Sequence, residues 1–328
     1  MSLNGVRVLV TGAGGFIGSH LSEELVRVGA RVRALVHYNA LGSRGWLDES
    51  SLKNDMEILA GDICDSDCIR GISSGVEVIF HLAALIAIPY SYAAPRSYTR
   101  TNIEGTLNVL QAARDCGARQ VIQTSTSEVY GTARIVPIPE NHPLQAQSPY
   151  AASKIGSDKA AESFHHSFGL PVTIVRPFNT FGPRQSARAV IPTVIRQLLQ
   201  NNTVRIGNIT PTRDFNFVSN TVDAFITIAN APHAVGHTLH FGSGHEISIE
   251  GMIRQVAKIL RRDNIEIVSD SQRIRKEGSE VERLIADNSY AKELLGWQPR
   301  VSFEQGLAQT IEWFSRQPEP REVSSFVV

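Results

Sequence analysis

Cysteine is scarce in this sequence, and neither sign of charge dominates it. The 328 residues include only three cysteines, Cys64, Cys68 and Cys116, too few for a disulfide framework and in keeping with a reducing compartment. The Cys64–Cys68 pair has no second Cys/His cluster, so we expect no metal site. Lys plus Arg and Asp plus Glu both number 32. This balance gives no reason to expect nucleic acid as a partner.

Long apolar runs are also missing. The longest, VEVIFHLAALIAIP, is too short to span a bilayer and contains His81. The opening MSLNGVRVLVTG lacks the charged region and cleavage site of a signal peptide. We therefore expect a cytoplasmic protein without a membrane partner. Because 42% of the residues are hydrophobic, the chain can build a sizeable core.

The first half of the chain alternates short apolar runs with amphipathic segments. The run VRVLV precedes FIGSHLSEELVRVG; the further runs are RVRALV, MEILAG, VEVIFHLAA, QVIQTS and PVTIVRP, and long helices are predicted near residues 95–116 and 149–168. This alternation is typical of a parallel sheet with helices on both faces. We predict an α/β fold, a Rossmann-like doubly wound parallel sheet with a smaller mixed α/β substrate-binding domain.

The pattern changes after Arg176, where prolines and polar stretches such as NNTVRIGNITPTRDF appear. Helices are predicted at residues 220–230, 248–260 and 303–316, and FNFV and TLHFGSG are candidates to return strands to the first sheet. We assign residues 1–177, plus roughly 214–242, to the sheet domain, and roughly 178–213 and 243–317 to the smaller domain. The end of the chain, 318–328, is expected to be a loosely ordered tail.

A glycine turn follows the first predicted strand. In VRVLVTGAGGFIGSHL, Gly12, Gly15 and Gly18 stand between a strand and a helix. Such a turn lets the backbone approach a pyrophosphate, whose charge then lies at the helix N-terminus. The strand-turn-helix context favours dinucleotide binding over a purely structural turn.

The acid that usually binds the ribose about twenty residues further on is absent. His37, Tyr38 and Asn39 occupy that region, and Arg44 lies just beyond. Asn39 is a candidate ligand of a ribose hydroxyl, whereas Arg44 is either a partner for a 2′-phosphate or a solvated side chain, so NAD and NADP both stay open. Asp62, in GDI, is a candidate to bind the adenine amine or to cap a helix.

Two further stretches carry candidate catalytic groups. SPYAASK supplies Tyr150 and Lys154, four residues apart and on one helix face. The lysine is expected to lower the pKa of the phenol, so that the tyrosine can act as a base near neutrality. QTSTSEVYG adds small hydroxylated residues and a single carboxylate, Glu128, at the end of a buried strand.

With these motifs the chain resembles the extended short-chain dehydrogenase/reductase superfamily over nearly its whole length. The matching stretches are TGAGGFIGSHL, GDI, HLAA, NIEGTLNVLQAAR, STSEVYG, YAASK, RPFNTFGPRQ, RDFNFV and ERLIADNSYAKELLGW. AALIAIPYSYAAPRSY, PTRDFNFV and QRIRKEGSEVERL look most like the nucleotide-sugar 4,6-dehydratases of legionaminic acid biosynthesis. This resemblance implies a nucleotide-linked N-acetylglucosamine as the substrate. The resemblance implies an NAD(P)-binding sheet domain, a smaller domain that binds a UDP- or GDP-linked sugar, and a homodimer paired through helices.

The resemblance also implies a division of catalytic roles. Thr126 would bond the sugar 4-hydroxyl and Tyr150, beside Lys154, would take its proton while hydride leaves C4. Glu128 would then remove the C5 proton, water would leave from C6 and the hydride would return to C6. Ser127 stands where dTDP-glucose dehydratases have aspartate. Thr-Ser-Glu resembles GDP-mannose 4,6-dehydratases instead, and it also resembles UDP-glucuronate decarboxylases. The 4,6-dehydratase is therefore the leading hypothesis, a UDP-sugar 4-epimerase or UDP-glucuronate decarboxylase the alternative, and a non-catalytic regulator the least favoured.

Binding residues follow from the same resemblance. The implied cofactor-binding residues are Gly12, Gly15, Phe16, Ile17, Gly18, His37, Asn39, Asp62, Ile63, Leu82, Ala83, Ala84, Tyr150 and Lys154. The implied substrate-binding residues are Pro89, Ser91, Asn102, Asn179, Arg184, Arg213 and Arg283. Structural alternatives remain for several of them. Arg213 is also a candidate ion-pair partner of Asp214, and Asn102 a candidate to bond nearby backbone. His81 and His240 are expected to be core residues.

Overall fold

The computed structural model describes residues 2–274 and 277–318. Its strands are β1 Arg7–Thr11, β2 Arg31–His37, β3 Glu57–Gly61, β4 Val78–His81, β5 Gln120–Thr124, β6 Val172–Pro177, β7 Thr180–Phe181, β8 Thr203–Ile206, β9 Thr212–Arg213, β10 Asn216–Phe217, β11 Thr238–Phe241, β12 Ile247–Ser248, β13 Glu266–Ser269 and β14 Arg283–Leu284. Its α-helices are α1 Phe16–Arg27, α2 Ser66–Ser73, α3 Ile88–Ala93, α4 Pro95–Tyr98, α5 Gly105–Asp115, α6 Pro149–Phe168, α7 Val190–Gln200, α8 Val218–Ala229, α9 Ile249–Ile259, α10 Ser289–Leu295 and α11 Phe303–Ser315. Of the predicted tail, residues 319–328 lie outside the described residues.

Seven parallel strands form the main sheet, in the order β11-β6-β5-β4-β1-β2-β3. Side chains of β1 alternate between two cores, because successive residues of a strand point to opposite faces. Val8 and Val10 pack with Leu21 of α1 and Phe225 of α8, whereas Leu9 lies in a core with residues of α2, α5 and α6. This arrangement confirms the predicted doubly wound sheet.

The strand order reverses beside β1, whose neighbours are β2 and β4. The carboxyl ends of β1 and β4 therefore diverge into connections on opposite sides of the sheet. A crevice opens at such a point in doubly wound folds, and ligands bind there. The glycine turn after β1 and the segment after β4 both start at this crevice.

The later elements agree with the predictions in part. TLHF forms β11 and joins the main sheet, as predicted. The prediction for FNFV is wrong: Asn216 and Phe217 pair with Thr180 and Phe181 in a separate two-stranded sheet. The physical reason is that α8 starts immediately at Val218 and carries the chain back across the main sheet as a helix. Two further small sheets, β12-β9-β14 and β13-β8, follow.

Most predicted helices are confirmed to within a residue or two. Helix α6 covers Pro149–Phe168, with Ser148 capping its first turn by accepting a hydrogen bond from the Ala151 amide. The helical stretch expected near residues 95–116 is present but not uniform. A π-helical segment, Thr99–Glu104, separates α4 from α5.

Candidate active site

A cavity of about 1780 Å³ occupies the crevice at the carboxyl ends of the strands. It brings together nearly all of the predicted site residues. Those that line it are Gly12, Gly15, Phe16, Ile17, Gly18, His37, Asn39, Asp62, Ile63, Leu82, Ala83, Ala84, Pro89, Thr126, Ser127, Glu128, Tyr150, Lys154, Asn179, Arg184 and Arg213. Ser91, Asn102 and Arg283 do not line this cavity, which the described residues form.

The glycine turn is built for close backbone approach. Gly12 has a φ of +72°, and a Cβ there would lie 2.9 Å from the Ala83 amide nitrogen. A Cβ on Gly18 would overlap the carbonyl oxygen of Gly12. In the described chain no side chain caps the N-terminus of α1 at Gly15, so the first amides of this helix are oriented for an anion in the cavity. These features fit a dinucleotide pyrophosphate.

In the loop after β2, the Asn39 side chain bonds the backbone of its own loop, whereas the sequence makes it a candidate ligand of a ribose hydroxyl. Its amide oxygen accepts hydrogen bonds from the backbone amides of Leu41 (3.2 Å) and Ser43 (3.1 Å). Its amide nitrogen donates to the carbonyl oxygens of His37 (3.2 Å) and Ser43 (2.8 Å). Asn39 thus lines the cavity while its side chain closes the loop, so ribose binding would compete with those bonds. Arg44, from the same loop, also lines the cavity.

Asp62 is not a helix cap. Asp65 caps α2 by accepting from the amides of Asp67 and Cys68. The carboxylate of Asp62 accepts a hydrogen bond of 2.8 Å from the Cys64 amide and is also hydrogen-bonded by the Cys64 thiol, and Asp62 lines the cavity. The helix-cap alternative for Asp62 is therefore wrong, and contact with the adenine amine stays a prediction.

Helix α6 faces the end of β5 through three side chains spaced one turn apart. The Tyr150 phenol hydrogen-bonds the Thr126 hydroxyl. Lys154 Nζ donates to the Thr124 carbonyl oxygen at 2.5 Å, and Asp158 Oδ2 accepts from the Ser125 hydroxyl at 2.7 Å. Because residues i, i+4 and i+8 share one helix face, the Tyr-x-x-x-Lys spacing extends here to a third group that sequence reasoning missed.

The electrostatics of the tyrosine and the lysine differ from expectation. Burial raises the pKa of Tyr150 above its ordinary value, the Thr126 hydroxyl lowers it, and the Glu128 carboxylate raises it further. The sequence predicts that Lys154 lowers the pKa of the Tyr150 phenol, but in this structure that pKa is raised. The reason is that desolvation of the phenolate outweighs the other effects. Burial also lowers the pKa of Lys154 to about 8, against the opposing effect of Asp158.

Glu128 lies on the cavity wall, on the short 3₁₀ helix Ser127–Tyr130. Its side chain is largely buried, with the residue 9% exposed. The Thr126 hydroxyl caps this helix by accepting from the Glu128 amide at 3.2 Å. Thr126 thus contacts both Tyr150 and the turn that carries Glu128. The carboxylate and the phenol open into the same cavity.

The two arginines expected to bind the diphosphate lie in different places. Arg213 lines the cavity and ion-pairs with Glu280 at 3.5 Å. It does not pair with Asp214, which instead accepts from Ser243, Gly244 and Ala286. Arg283 pairs with Glu246 away from the cavity, and its side chain is 48% exposed.

Strand register explains that difference. Arg283 lies opposite Thr212, and Leu284 lies opposite Arg213, in the β9–β14 pair. Because side chains of adjacent strand residues alternate between faces, Arg283 shares the face of Thr212, whose hydroxyl also donates to Glu246 at 2.7 Å. The expectation that both arginines face one ligand is not met in this structure.

Asn102 and Ser91 have structural partners. Asn102 Oδ1 accepts from the Leu85 amide at 2.9 Å, and its Nδ2 donates to the Leu85 carbonyl oxygen (3.0 Å) and to Ser153 Oγ (2.9 Å). It therefore anchors the loop after β4 to α6. The Ser91 hydroxyl donates to the Ile88 carbonyl oxygen at 2.6 Å. Both side chains are buried in the protein interior, and neither residue lines the cavity. Their hydrogen bonds hold them in these positions.

The remaining wall of the cavity comes mainly from segments that sequence reasoning did not assign to the site. These include Thr193, Arg196, Ile206, Pro211, Phe215, Arg273 and Glu280. Pro211 and Phe215 lie in PTRDFNFV, and Arg273 and Glu280 in QRIRKEGSEVERL, whereas Thr193, Arg196 and Ile206 lie outside the stretches that carry the resemblance. Asn179 lines the cavity, and its Oδ1 is buried with no hydrogen-bond partner among the described residues.

The two apolar-run histidines are core residues, as predicted. His81 Nδ1 and Nε2 are hydrogen-bonded to Thr11 Oγ1 (2.7 Å) and Thr106 Oγ1 (3.1 Å). His240 lies between Tyr130 and the Ile138 carbonyl oxygen. Burial lowers the pKa of both histidines to about 3. Within residues 2–274 and 277–318, no cluster of ligand side chains suited to a metal ion occurs, and no helix is long and apolar enough to cross a membrane.

The fold and the Thr126, Tyr150 and Lys154 constellation define an enzyme class, the extended short-chain dehydrogenases/reductases. The family model described as GDP-mannose 4,6 dehydratase matches residues 9–310, and the chain belongs to that family. The chain is 34% identical to a UDP-glucose 4-epimerase of Mycolicibacterium smegmatis, and the match covers 94% of this chain and 98% of the relative.

Solved structures are similar over almost the whole chain. One is DesIV, a dTDP-glucose 4,6-dehydratase from Streptomyces venezuelae with NAD and TYD bound, with a TM-score of 0.85, 31% identity and coverage of 94% of this chain and 97% of that one. Another is TunA, an NAD-dependent NDP-hexosamine 5,6-dehydratase involved in tunicamycin biosynthesis, with a TM-score of 0.81, 28% identity and coverage of 95% and 98%. The similar proteins thus include both dehydratases and epimerases.

Proposed function

We propose that this protein is an NAD-dependent nucleotide-sugar 4,6-dehydratase. The observation that carries the proposal is the buried carboxylate of Glu128, on the wall of the cavity that holds Tyr150. Dehydration needs two bases, one for the 4-hydroxyl and one for the C5 proton, and a 4-epimerase needs only the first. Thr126 links Tyr150 and Glu128, because its hydroxyl hydrogen-bonds the Tyr150 phenol and accepts a hydrogen bond from the Glu128 amide.

NAD supplies reversible hydride acceptance when it is bound, and its presence in the DesIV structure supports this choice of cofactor. Gly12, Gly15 and Gly18 would hold its pyrophosphate at the start of α1. Asp62 and His37 lie along the same cavity and would hold the adenosine part. The overlap that a Cβ on Gly18 would cause supports the need for glycine here.

The residues of this chain would act in sequence on the sugar. Thr126 orients the 4-hydroxyl, and Tyr150 accepts its proton as C4 is oxidised. The resulting C4 carbonyl would acidify the C5 proton, which Glu128 removes and passes to the C6 hydroxyl, so that this oxygen leaves as water. The hydride taken from C4 would then return to C6 and a solvent proton would add at C5, which gives the 4-keto-6-deoxy sugar. Ser127, beside Glu128 on the cavity wall, would donate a hydrogen bond to the departing oxygen. Lys154 holds Tyr150 from the next turn of α6.

The substrate would be a nucleotide-linked N-acetylglucosamine. The matches of AALIAIPYSYAAPRSY and QRIRKEGSEVERL to legionaminic acid dehydratases support an N-acetylhexosamine, and so does the similarity to the hexosamine enzyme TunA. Arg213 and Asn179 are the proposed contacts to the diphosphate and the sugar. Arg184 also lines the cavity, where it ion-pairs with Glu23 at 2.9 Å, and is a further proposed contact. Pro89 contributes to the sugar side of the cavity.

The test is turnover in deuterated water. Purified protein with NAD is incubated with UDP-GlcNAc, GDP-GlcNAc or dTDP-glucose, and the products are analysed by NMR and mass spectrometry. A 4-keto-6-deoxy sugar with deuterium at C5 is expected from one of them. A 4-epimer without deuterium would replace the proposal with the 4-epimerase, which the relative from M. smegmatis favours. An unsaturated C5–C6 product would assign a 5,6-dehydratase.

UDP-glucuronate is assayed in parallel for the remaining alternative. Release of carbon dioxide from it, with no dehydration of the other sugars, would assign a decarboxylase. In either reaction Glu128 has a chemical role, so the identity of the product decides between them.

We also propose that the enzyme is a cytoplasmic homodimer paired through the two helical regions around α5 and α6. Leu107 on α5 and Phe168 at the end of α6 are exposed apolar side chains, which supports a covered surface here. Light scattering should give twice the chain mass of 35.9 kDa. A monomer at every concentration tested would contradict this.

A further inference from the structure

A row of buried polar side chains lies behind the active-site wall. Asp158 Oδ2 accepts from Ser125 Oγ (2.7 Å) and from Arg176 Nη2 (2.9 Å) and Nε (3.3 Å). Arg176 Nη1 donates to the Tyr130 hydroxyl at 2.6 Å, and that hydroxyl is hydrogen-bonded to His240 Nε2 at 2.5 Å. All five side chains are buried. Asp158, Arg176, Tyr130 and His240 are absent from the wall of the cavity that the described residues form.

This row connects the three segments that carry the proposed chemistry. Ser125 lies between Thr124, which accepts from Lys154, and Thr126, which bonds Tyr150. Asp158 belongs to α6, one turn beyond Lys154. Tyr130 ends the 3₁₀ helix that carries Glu128. Arg176, from β6, is the only one of these groups that contacts both Asp158 and Tyr130.

Stability alone is a weak reason for such an arrangement. Burying an ion pair costs desolvation that its attraction often fails to recover, and apolar replacements are frequently as stable. A buried hydrogen-bond network does, however, fix the relative placement of the elements that it joins. Asp158 Oδ2 carries all of the carboxylate's bonds named above, and Asp158 Oδ1 is buried with no hydrogen-bond partner among the described residues. In this chain the network would fix the Glu128 turn relative to the face of α6 that presents Tyr150 and Lys154.

We propose that Asp158 and Arg176 are positioning residues that act through two branches. Through Tyr130, Arg176 holds the Glu128 turn in register for proton removal at C5. Through its carboxylate on α6, Asp158 keeps Lys154 as an ammonium beside Tyr150. The first branch rests on the proposed dehydration, whereas the second concerns C4 oxidation, which dehydration and 4-epimerisation share.

The electrostatic surroundings of Lys154 support the second branch. Asp158 opposes the burial that lowers the pKa of Lys154. Among the described residues, His81 on β4 also interacts electrostatically with Lys154. Glu128 on the 3₁₀ helix, Tyr150 on α6 and Arg176 on β6 are titratable or charged groups of neighbouring elements. Burial keeps His81 neutral, and Arg176 is itself paired with Asp158. Asp158 is therefore the anion whose loss would most directly affect Lys154.

Tyr130→Phe tests the first branch, because it removes only the hydroxyl that joins Arg176 to the Glu128 turn. With NAD-loaded enzyme and the nucleotide sugar that the wild type turns over, reduced nicotinamide should form at the wild-type rate. Deuterium incorporation at C5 should slow at least tenfold, so that the reduced cofactor accumulates. Arg176→Lys should act in the same direction, because one ammonium cannot reproduce the guanidinium fork. It keeps this branch testable if Tyr130→Phe fails to fold.

Tyr290→Phe is the matched control. The Tyr290 hydroxyl also hydrogen-bonds a histidine, His237, at 2.6 Å, and Tyr290 does not line the described cavity. It should leave both steps within about twofold of the wild type. Equal slowing of both steps by Tyr130→Phe, or of neither, would overturn the first branch and leave a purely structural network.

Asp158→Asn tests the second branch through the pH profile of C4 oxidation. Loss of the carboxylate makes the ammonium of Lys154 less favourable, so the alkaline limb of the profile should move to lower pH. An unmoved limb would overturn this branch. If the wild type itself incorporates no deuterium at C5, the proposed dehydration fails together with the first branch. The Asp158 profile still decides the second.

Discussion

The ammonium nitrogen of Lys154 donates a 2.5 Å hydrogen bond to the carbonyl oxygen of Thr124, the last residue of β5. This bond fixes helix α6 to the strand end whose next residues are Ser125, Thr126 and Ser127. The lysine is buried as well, so it anchors the active-site helix and carries a perturbed charge at the same time. Both consequences are open to measurement.

The pKa of Lys154, lowered by burial from 10.5 to about 8, predicts a pH-dependent contribution to stability. Between these two values the unfolded chain binds more protons than the folded one, so stability rises with pH. In Lys154→Met this contribution is lost. We expect the free energy of unfolding of the wild type, relative to the variant, to increase by about 3 kcal/mol over that range. Urea unfolding at several pH values measures it, and parallel curves for the two proteins would contradict it.

Glu128→Gln should separate the two halves of the proposed reaction. The amide keeps the size of the side chain and cannot accept the C5 proton, so product formation should fall by about 10² or more. C4 oxidation does not need this carboxylate, and reduced nicotinamide should accumulate, as stopped-flow absorbance would show. Glu246→Gln, whose partner Arg283 lies away from the cavity, is the control. Unchanged product formation by Glu128→Gln would rule out the role proposed for this residue.

Gly18→Ala should weaken NAD binding, because its Cβ would overlap the Gly12 carbonyl oxygen and displace the turn. Calorimetric titration with NAD is the measurement, with an expected loss of at least tenfold in affinity. Gly71→Ala is the matched control: it lies within α2 and has open space around the added Cβ. That variant should bind NAD normally and gain about 0.5–1 kcal/mol in stability. Equal affinities for Gly18→Ala and the wild type would show that the turn does not hold the cofactor.

Arg213 and Arg283 offer a paired comparison, since the sequence gives both the same predicted role. Arg213→Met should raise the KM for the nucleotide sugar by about tenfold to a hundredfold, the loss expected for a hydrogen bond to a charged group. Arg283→Met should change it less than twofold, because Arg283 pairs with Glu246 outside the cavity. Equal increases in KM would mean that the ligand draws Arg283 into the site.

Local patterns were enough to predict much of this architecture. The strand-turn-helix at Gly12, the helix over Pro149–Phe168 and the parallel sheet depend on periodicity and turn chemistry between near neighbours. The prediction for FNFV is wrong because a stretch of three apolar residues and one asparagine does not indicate which strand it pairs with. Thr180 and Phe181 take that role through packing that no local pattern encodes.

The amino-acid order is enough to establish which chemical groups are present and that Tyr150 and Lys154 share a helix face, since spacing on a regular helix dictates the face. Which groups meet, and what surrounds them, depends on the folded chain. In the folded chain, Arg213 lines the cavity and Arg283 lies away from it. Asn102 accepts a hydrogen bond from the Leu85 amide in the loop after β4. The fold also raises the pKa of Tyr150 through burial and joins Asp158 to Arg176. Desolvation and long-range contacts depend on residues far apart in the chain, and no spacing in the sequence carries them.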